Sequence, residues 1–382
     1  MYLASKIEKD YMITDNTAYR TTAYLLSFGI IITILVIARS FLIPMTIAVL
    51  FSFLLLPISI FLENKGLPRE LAIILSLLVS FIVLGALVTF LYFEIMIFVD
   101  DFPALKEKLN EKLIDLQRYI YRNFNVSRWE QKQWYKEQSG KFMTYSGTYI
   151  TNFFSFTGEI VATMFLLPIY IFFLTYYRDK IKKFICRVTP QTQDSHLVEV
   201  LRKTAKVSQK YIKGLLIDIS ILAVLNSTGF LILGIEHAIF LGVLAAILNL
   251  IPYIGVLIGS IFPFLFAILT EDSTSVAFGA IGVCIVVQFL DNNFITPKVV
   301  GSSVSINPLS TLIAILIGGM LWGIAGMMLF IPLLGMLKVI LDSFESTRPF
   351  GFLIGEEDDL RPMVKFTKRR EPVVVKEVQA EK

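Results

Sequence analysis

The chain has 382 residues, of which 55% are hydrophobic and 17% charged, with a formal net charge of +4 and a mean hydropathy of +0.69. Soluble proteins carry roughly a quarter charged residues, so this composition predicts an integral membrane protein. The small net charge gives no indication of a nucleic-acid partner. Glycine-rich nucleotide-binding motifs are missing, so we expect no cofactor and no enzyme. Two Cys and two His do not provide the ligand spacing of a zinc site, and neither a metal site nor a catalytic residue is predicted.

The first part of the chain contains apolar runs of bilayer length. About 20 helical residues, at about 1.5 Å per residue, cross a hydrocarbon core of about 30 Å. We place three transmembrane helices in residues 22–93, after a polar cytoplasmic amino terminus at residues 1–21. The first run lacks a cleavage site after it, so it is interpreted as a retained anchor and not as a signal peptide. These helices are predicted at 22–38, 41–62 and 71–93.

A polar segment at 94–152 separates the third predicted span from the fourth, at 153–177. Apolar residues recur in it at spacings of three and four, which predicts an amphipathic helix. They are Leu105, Leu109, Leu113, Leu116 and Ile120. We interpret the segment as a small extracytoplasmic helical insertion that packs its own apolar stripe. The alternative is a face that binds a partner protein.

The next segment is strongly basic. Residues 178–213 hold ten Lys or Arg against three acids, and the positive-inside rule makes such a loop cytoplasmic. We treat residues 178–210 as this basic cytoplasmic segment and 211–345 as a transport core. Both termini are then expected on the cytoplasmic side of a bacterial inner membrane. Residues 346–382 mix acids and bases with three prolines, which predicts a flexible cytoplasmic tail.

Two apolar runs in the second half are too long for one straight crossing. Residues 238–269 would form a helix of about 48 Å, well above the membrane thickness. Pro252 and Gly255 divide this run, because proline lacks an N–H and clashes with the preceding turn. The pattern Ile-Pro-x-x-Gly returns eighty positions later within 308–341, where Pro332 is the predicted break. Ordinary spans are expected at 211–234 and 276–290.

The predicted fold is an all-α polytopic membrane protein with about six full spans and two broken, re-entrant helical hairpins. Paired broken helices of opposite entry are typical of transporter binding sites. A rival count makes each long run a single crossing, which gives eight spans. The two counts differ in the position of Lys298, which is cytoplasmic in the first and extracytoplasmic in the second.

Several spaced motifs in this order resemble the AI-2E family of bacterial transporters. They are residues 249–255 (NLIPYIG), 294–301 (FITPKVVG), 307–309 (NPL), Gly318-Gly319, 323–327 (GIAGM) and Ile331-Pro332. The resemblance implies a multi-pass inner-membrane permease. It implies export of autoinducer-2, or the sodium or lithium exchange for protons described for other members. Two positions depart from the family pattern, because Val256 stands where a second proline is common and Asn307 where a His often precedes Pro308.

Polar residues near the predicted breaks are the candidates for binding substrate. Asp291 closes the run at 276–290 and adjoins other carboxylate and amide oxygens, which could converge on a cation or a polar solute. An ionised side chain within a membrane is costly, so an acid there indicates function. The predicted binding residues are Asn249, Pro252, Gly255, Gln288, Asp291, Asn292 and Pro332. The predicted proton or cation carriers are Asp218, Asp291 and Glu159. The alternative for each acid is a solvated or snorkelling group at a helix end.

Three functions are compatible with these patterns. The leading hypothesis is a secondary permease that exports a small polar, autoinducer-2-like solute by alternating access. The second is a Na⁺(Li⁺)/H⁺ antiporter, which requires a titratable carboxylate. The third, of another class, is a membrane-anchored protein whose 94–152 segment binds a partner. We expect a small polar solute or an alkali cation, membrane lipid and further copies of the chain as partners.

Overall fold

The fold was analysed in a computed structural model, which describes residues 2–124, 166–189, 194–252, 254–271, 273–300 and 305–356. Within these ranges the chain is helical and has no strand, apart from one isolated antiparallel bridge between Ile306 and Gly355. Six helical segments are long and apolar enough to cross a membrane. The fold is therefore an all-α, multi-pass membrane fold, as the sequence predicts.

The first three helices are α1 (Tyr2–Ile37), α2 (Arg39–Asn64) and α3 (Arg69–Phe124). A turn at Ala38 separates α1 from α2. Helix α3 contains 56 residues, which corresponds to a length of about 84 Å and far exceeds a membrane. The third predicted span and the following segment, as far as Phe124, thus form one continuous helix. The rest of the predicted insertion lies outside the described residues.

Charged side chains join the turn between α2 and α3 to the next pair of helices, α4 (Leu166–Tyr176) and α5 (Arg178–Val188). The Arg178 guanidinium donates to both carboxylate oxygens of Glu63. The Arg69 guanidinium donates to Asp179 Oδ2 at 2.8 Å and to the Thr175 carbonyl at 3.1 Å. These contacts of Arg69 and Arg178 hold the junction of α4 and α5 against the turn between α2 and α3. Helix α4 coincides with the second half of the fourth predicted span, whose first half is outside the described residues.

The first overlong run is broken, as predicted. It forms α7 (Ala238–Leu248) and α8 (Ile254–Thr270), which follow the long helix α6 (Asp194–Ile232). The two helices are antiparallel, because Gly255 packs on Leu248 and Gly259 packs on Ala245. We call α7 and α8 the first hairpin. Its turn contains Pro252.

After the first hairpin come α9 (Thr274–Leu290), a π-helical turn (Asp291–Ile295) and the short α10 (Thr296–Val299). The carbonyl of Val299 lies against Gly214, near the middle of α6. Helix α10 therefore lies beside the half of α6 that follows the basic segment. Lys298 belongs to this short helix.

The second overlong run, α11 (Pro308–Ser343), also folds back on itself, but not at the predicted residue. Gly323 has φ 60° and ψ −141°, whereas the prediction places the break at Pro332. A Cβ on Gly326 would lie 1.9 Å from the Gly318 carbonyl oxygen. Residues eight apart in a straight helix are separated by about 12 Å, so this contact requires a reversal of the chain. We call the two arms of α11 the second hairpin.

Pro332 lies within the second arm, and its side chain is fully buried. A proline is tolerated inside a helix where neighbouring groups satisfy the backbone that it frees. The backbone at Gly323 is different, because a positive φ with a strongly negative ψ is accessible essentially to glycine alone. The turn residue of the second hairpin is therefore a glycine, and the prediction of Pro332 as the break is wrong.

The carboxyl-terminal end of the described chain packs on the second hairpin. Helix α12 (Arg348–Ile354) places Gly351 against the carboxylate of Asp342, which also accepts a hydrogen bond from the Lys338 ammonium at 2.8 Å. The side chain of Asn307 caps α11 and donates to the carbonyls of Leu353 and Gly355 at 2.8 and 3.0 Å. Residues 348–356 of the tail predicted to be flexible are thus ordered.

Apolar clusters fix the helices around the first hairpin. One cluster joins α6 through α9 and centres on Phe230, Leu241 and Phe266. Another joins α2, α6 and α11 through Leu50, Tyr211 and Met336. These clusters are held together by close side-chain packing, because transfer out of water provides no driving force between helices within lipid. Many large apolar side chains remain exposed, including Ile232 at 80%, as expected of a surface that faces lipid.

Candidate functional site

A cavity of about 630 Å³ lies between the turn of the first hairpin, α6, the π-helical turn and both arms of the second hairpin. Binding sites for small molecules are commonly clefts of about 300–1,000 Å³ with a few placed polar groups. The polar and charged residues that line this cavity are Tyr211, Asp218, Asn249, Gln288, Asp291, Asn292, Thr296, Ser305, Thr311 and Glu356.

Asp291 is the centre of a hydrogen-bond network in this cavity, although it is only 3% exposed. Thr296 Oγ1 donates to Asp291 Oδ1 at 2.6 Å. Asn249 Nδ2 and Gln288 Nε2 donate to Asp291 Oδ2 at 3.2 and 3.3 Å. Gln288 also donates to the side-chain carbonyl of Asn292 at 3.0 Å. Hydrogen bonds to an ionised acceptor are the strong ones, so the three donors compensate the burial of this carboxylate.

The π-helical turn explains why Thr296 reaches Asp291. A π-helix bonds residue i to i+5, so it brings residues 291 and 296 into line, which an α-helix would not do. Pro297 favours this local change, since it has no N–H to contribute to a regular helix. Single π-turns inside helices occur frequently at functional sites, and this one begins at the buried acid.

Asp218 projects from α6 into the same cavity and is 6% exposed. Its Oδ1 atom has no hydrogen-bond partner in the described part of the chain. Asp218 lines this cavity together with Asp291. Asp218 and Asp291 thus share the cavity with Glu356, and Asp291 accepts hydrogen bonds from three side-chain donors.

The first hairpin supplies the amide side of the cavity. Helix α7 ends at Asn249, and its last turn tightens through hydrogen bonds from Leu250 N to Ile247 O and from Ile251 N to Leu248 O. The chain then turns at Pro252, whose carbonyl accepts from Ile254 N at 2.7 Å. Both Asn249 and Pro252 line the cavity. The turn of the first hairpin therefore places the side chain of Asn249 against Asp291 of the π-helical turn.

Five of the predicted binding residues meet in this one cavity, and two do not. The five are Asn249, Pro252, Gln288, Asp291 and Asn292. Gly255 instead supports the hairpin from behind, where its α-carbon packs on the carbonyl of Leu248. Pro332 is buried in the second arm and does not line the cavity. Of the predicted carriers, Asp218 and Asp291 lie here, and Glu159 is outside the described residues.

Several other lining residues could not be recognised from sequence patterns. Tyr211 and Thr311 reach the cavity because of the packing of α6 and α11, and no local pattern marks them. Glu356 arrives through the docking of α12. Thr296 had a usable signal, since it precedes a proline and lies three residues after the polar run that ends at Asn293. Within the described residues, no group of three or more His, Cys, Asp or Glu could hold a metal ion.

The fold and the cavity together define a multi-pass membrane protein with two broken-helix hairpins around a cavity lined by polar residues, which is typical of transporters. The family model for AI-2E family transporters matches residues 25–346. The chain therefore belongs to the AI-2E transporter family.

Relatives from several bacteria match over most of their length. YrrI of Bacillus subtilis strain 168 is 29% identical over 333 residues, which cover 82% of this chain and 89% of the relative. A protein of Haemophilus influenzae is 27% identical over 363 residues, covering 92% and 100%. YhhT of Escherichia coli K12 is 24% identical over 343 residues, covering 89% and 95%. All three are named "putative transport protein".

Proposed function

We propose that this protein is a secondary permease of the bacterial inner membrane that exports a small hydroxylated solute of the autoinducer-2 type by alternating access. The observation that carries the proposal is the Asp291 network inside the cavity. Asp291, Asn249 and Gln288 present carboxylate and amide oxygens and amide hydrogens, which suit a solute rich in hydroxyl groups.

The position of the cavity supports export. It extends along α6 from Tyr211 to Asp218, and Glu356 of the carboxyl-terminal segment also lines it. This is the half of α6 that follows the basic segment, which the positive-inside rule assigns to the cytoplasm. A cavity that faces the cytoplasm receives a solute made in the cell. The two hairpins then move against α2 and α3 to release it on the other side.

Flux measurements on purified protein test the proposal. Reconstituted protein is assayed with autoinducer-2, small polyols and alkali cations, with and without a pH gradient. We expect saturable flux of autoinducer-2 or of a polyol. Replacing Asn249 by Leu should lower it about tenfold or more, because an unpaired buried partner costs about 1–3 kcal/mol. Asn249→Gln keeps the amide and serves as the matched variant. Flux of cations alone would contradict the proposal.

A Na⁺(Li⁺)/H⁺ antiporter is the second candidate, and the paired acids favour it. Asp218 and Asp291 share the cavity, and Asp218 Oδ1 lacks a partner within the described ranges. Two carboxylates in close contact share a proton or bind a cation more readily than they remain doubly charged. In such an exchanger, cation entry would displace that proton.

Isosteric replacement of each acid separates the two candidates. An antiporter should lose cation-driven proton movement with Asp291→Asn and with Asp218→Asn, since neither variant has the carboxylate pair. Solute export requires hydrogen bonding and should retain a measurable fraction of its rate in Asp218→Asn. Glu356→Gln is the matched control, because it removes a cavity-lining charge outside the pair. Unchanged pH-dependent sodium flux in both aspartate variants would eliminate the antiporter.

A further inference from the structure

A second, much smaller pocket of about 20 Å³ lies behind Asn249 and Gln288. Asn249, Val256 and Gln288 line both this pocket and the large cavity, so these three side chains form the wall between them. A pocket needs about 10–15 Å³ to hold one water molecule. The small pocket therefore has space for about one water and is closed to any larger solute.

The lining of the small pocket is polar but uncharged. Asn226, Ser260 and Cys284 add to Asn249 and Gln288, and no acidic or basic side chain contributes. Asn226 is 7% exposed, and its side-chain amide forms no hydrogen bond with the described residues. A buried amide without a partner is unfavourable, so this site favours an occupant that forms hydrogen bonds.

One face of α6 connects the two pockets. Asp218, Leu222 and Asn226 are spaced four residues apart, which places them in one row along the helix. Asp218 lines the large cavity, whereas Leu222 and Asn226 line the small pocket. The row covers about 12 Å along the helix axis. A solute that advances along this row must pass between Asn249 and Gln288.

We infer that the small pocket is the closed continuation of the transport pathway, that Asn249 and Gln288 form its gate, and that Asn226 receives a hydroxyl group of the solute beyond that gate. The inference rests on the proposed function. It specifies the cargo further, since an uncharged lining suits a neutral hydroxylated group and provides no carboxylate for a dehydrated cation.

The gate must open by movement of the first hairpin. Asn249 lies at the end of α7, and Val256 and Ser260 belong to α8, so the hairpin carries much of the pocket lining. Gln288 and Cys284 belong to α9, and Asn226 belongs to α6. When the hairpin separates from α9, the pocket opens and the Cys284 thiol meets water.

Thiol labelling tests this opening without relying on flux. The 382-residue chain has two cysteines, so Cys186→Ser leaves Cys284 as its single thiol. Its reaction with 2-aminoethyl methanethiosulfonate is measured in proteoliposomes. In a cysteine-free background, Val286→Cys is the lipid-facing control, since Val286 is 59% exposed on α9. Ser305→Cys at the exposed edge of the large cavity is the accessible control.

We expect Cys284 to react about tenfold faster than Val286→Cys, because ionised thiols react with such reagents only in water. Asn226→Leu should slow this reaction about tenfold, since it fills the pocket with a group that cannot form hydrogen bonds. Labelling of Ser305→Cys should not change. Ser227→Ala, one residue further along α6, is the matched control because Ser227 bonds to the Ile239 carbonyl and does not line the pocket.

Labelling of Cys284 no faster than that of Val286→Cys would overturn the inference, even if solute flux continued. Equal labelling of Cys284 with and without Asn226→Leu would overturn the assignment of Asn226. Rapid labelling of Cys284 in a protein that carries no solute would support the gated pathway and contradict the proposed cargo. The two proposals therefore fail separately.

Discussion

The two hairpins reverse the chain with different residues, although both contain the pattern Ile-Pro-x-x-Gly. In the first hairpin Pro252 lies at the turn, and Gly255 allows α8 to approach the carbonyl of Leu248. In the second, the turn is at Gly323 and the corresponding Pro332 lies within a helix. The same local sequence pattern thus has two structural outcomes. In the second hairpin, Gly323 adopts a positive-φ conformation and forms the turn in place of the proline.

The two turns also contact different parts of the molecule. The turn of the first hairpin lines the large cavity through Asn249 and Pro252. The turn of the second hairpin lies near the junction of α1 and α2, where the indole N–H of Trp322 donates to the Leu35 carbonyl at 2.9 Å. The second hairpin lines the cavity with its arms instead, through Thr311 and Ile331 among others. Similar architecture therefore places a cavity-lining group at one turn and a contact with the junction of α1 and α2 at the other.

The largest expected effect is at Gly255. A Cβ there would lie 1.6 Å from the backbone oxygen of Leu248, which cannot rotate away. We expect Gly255→Ala to lower the free energy of unfolding by about 3 kcal/mol or more, because overpacking against backbone forces the two helices apart. Reversible denaturation of purified protein in detergent micelles measures this. Gly282→Ala on α9 is the control, since nothing lies within 4 Å of its Cβ position. Equal stability of the two variants would contradict the close packing of the hairpin.

A smaller effect is expected at Gly323. Its Cβ position is open, so alanine fits in space, but φ 60° with ψ −141° is strained for any residue with a side chain. We expect Gly323→Ala to cost about 2 kcal/mol. The same denaturation experiment applies, with Gly85→Ala in the open surroundings of α3 as the control. A loss no greater than that of the control would argue against a turn at Gly323.

The smallest effect is expected at Pro332. Replacement by Ala removes about two buried methylene groups, at about 0.8 kcal/mol each, and restores one backbone N–H as a donor. We expect the two contributions to leave the free energy of unfolding within about 1 kcal/mol of the unsubstituted protein. Pro252→Ala is the sequence-matched partner and should reduce solute flux, because Pro252 lines the cavity. If Pro332→Ala destabilised the protein as much as Gly323→Ala, the assignment of the turn would be in doubt.

Much of this fold follows from the sequence, since bilayer thickness limits the length of an apolar helix. That argument predicts the spans and favours an interruption in both 238–269 and 308–341. It does not select the residue that interrupts the second run. Gly323 is one of five glycines in that run, and only tertiary packing decides that the chain turns there while Gly318 and Gly326 bring the arms together.

The cavity was predictable only in part. Asp291, Asn249 and Gln288 stand out because polar side chains are rare in apolar runs. The contact of Thr296 with Asp291 depends on a π-turn, whose i+5 geometry cannot be recognised from an apolar repeat of helical or strand period. Tyr211, Thr311 and Glu356 come from three distant parts of the chain, so their convergence depends on the packing of α6, α11 and α12.

The contacts of Asn307 have a practical consequence for observing movement. Asn307 begins the second hairpin and holds the backbone oxygens of Leu353 and Gly355 at the other end of the described chain. Displacement of the first arm must therefore carry α12 with it. A donor fluorophore attached at position 356, paired with an acceptor at another helix end, would report the position of the hairpin by energy transfer. Neither label would then need a residue that lipid surrounds.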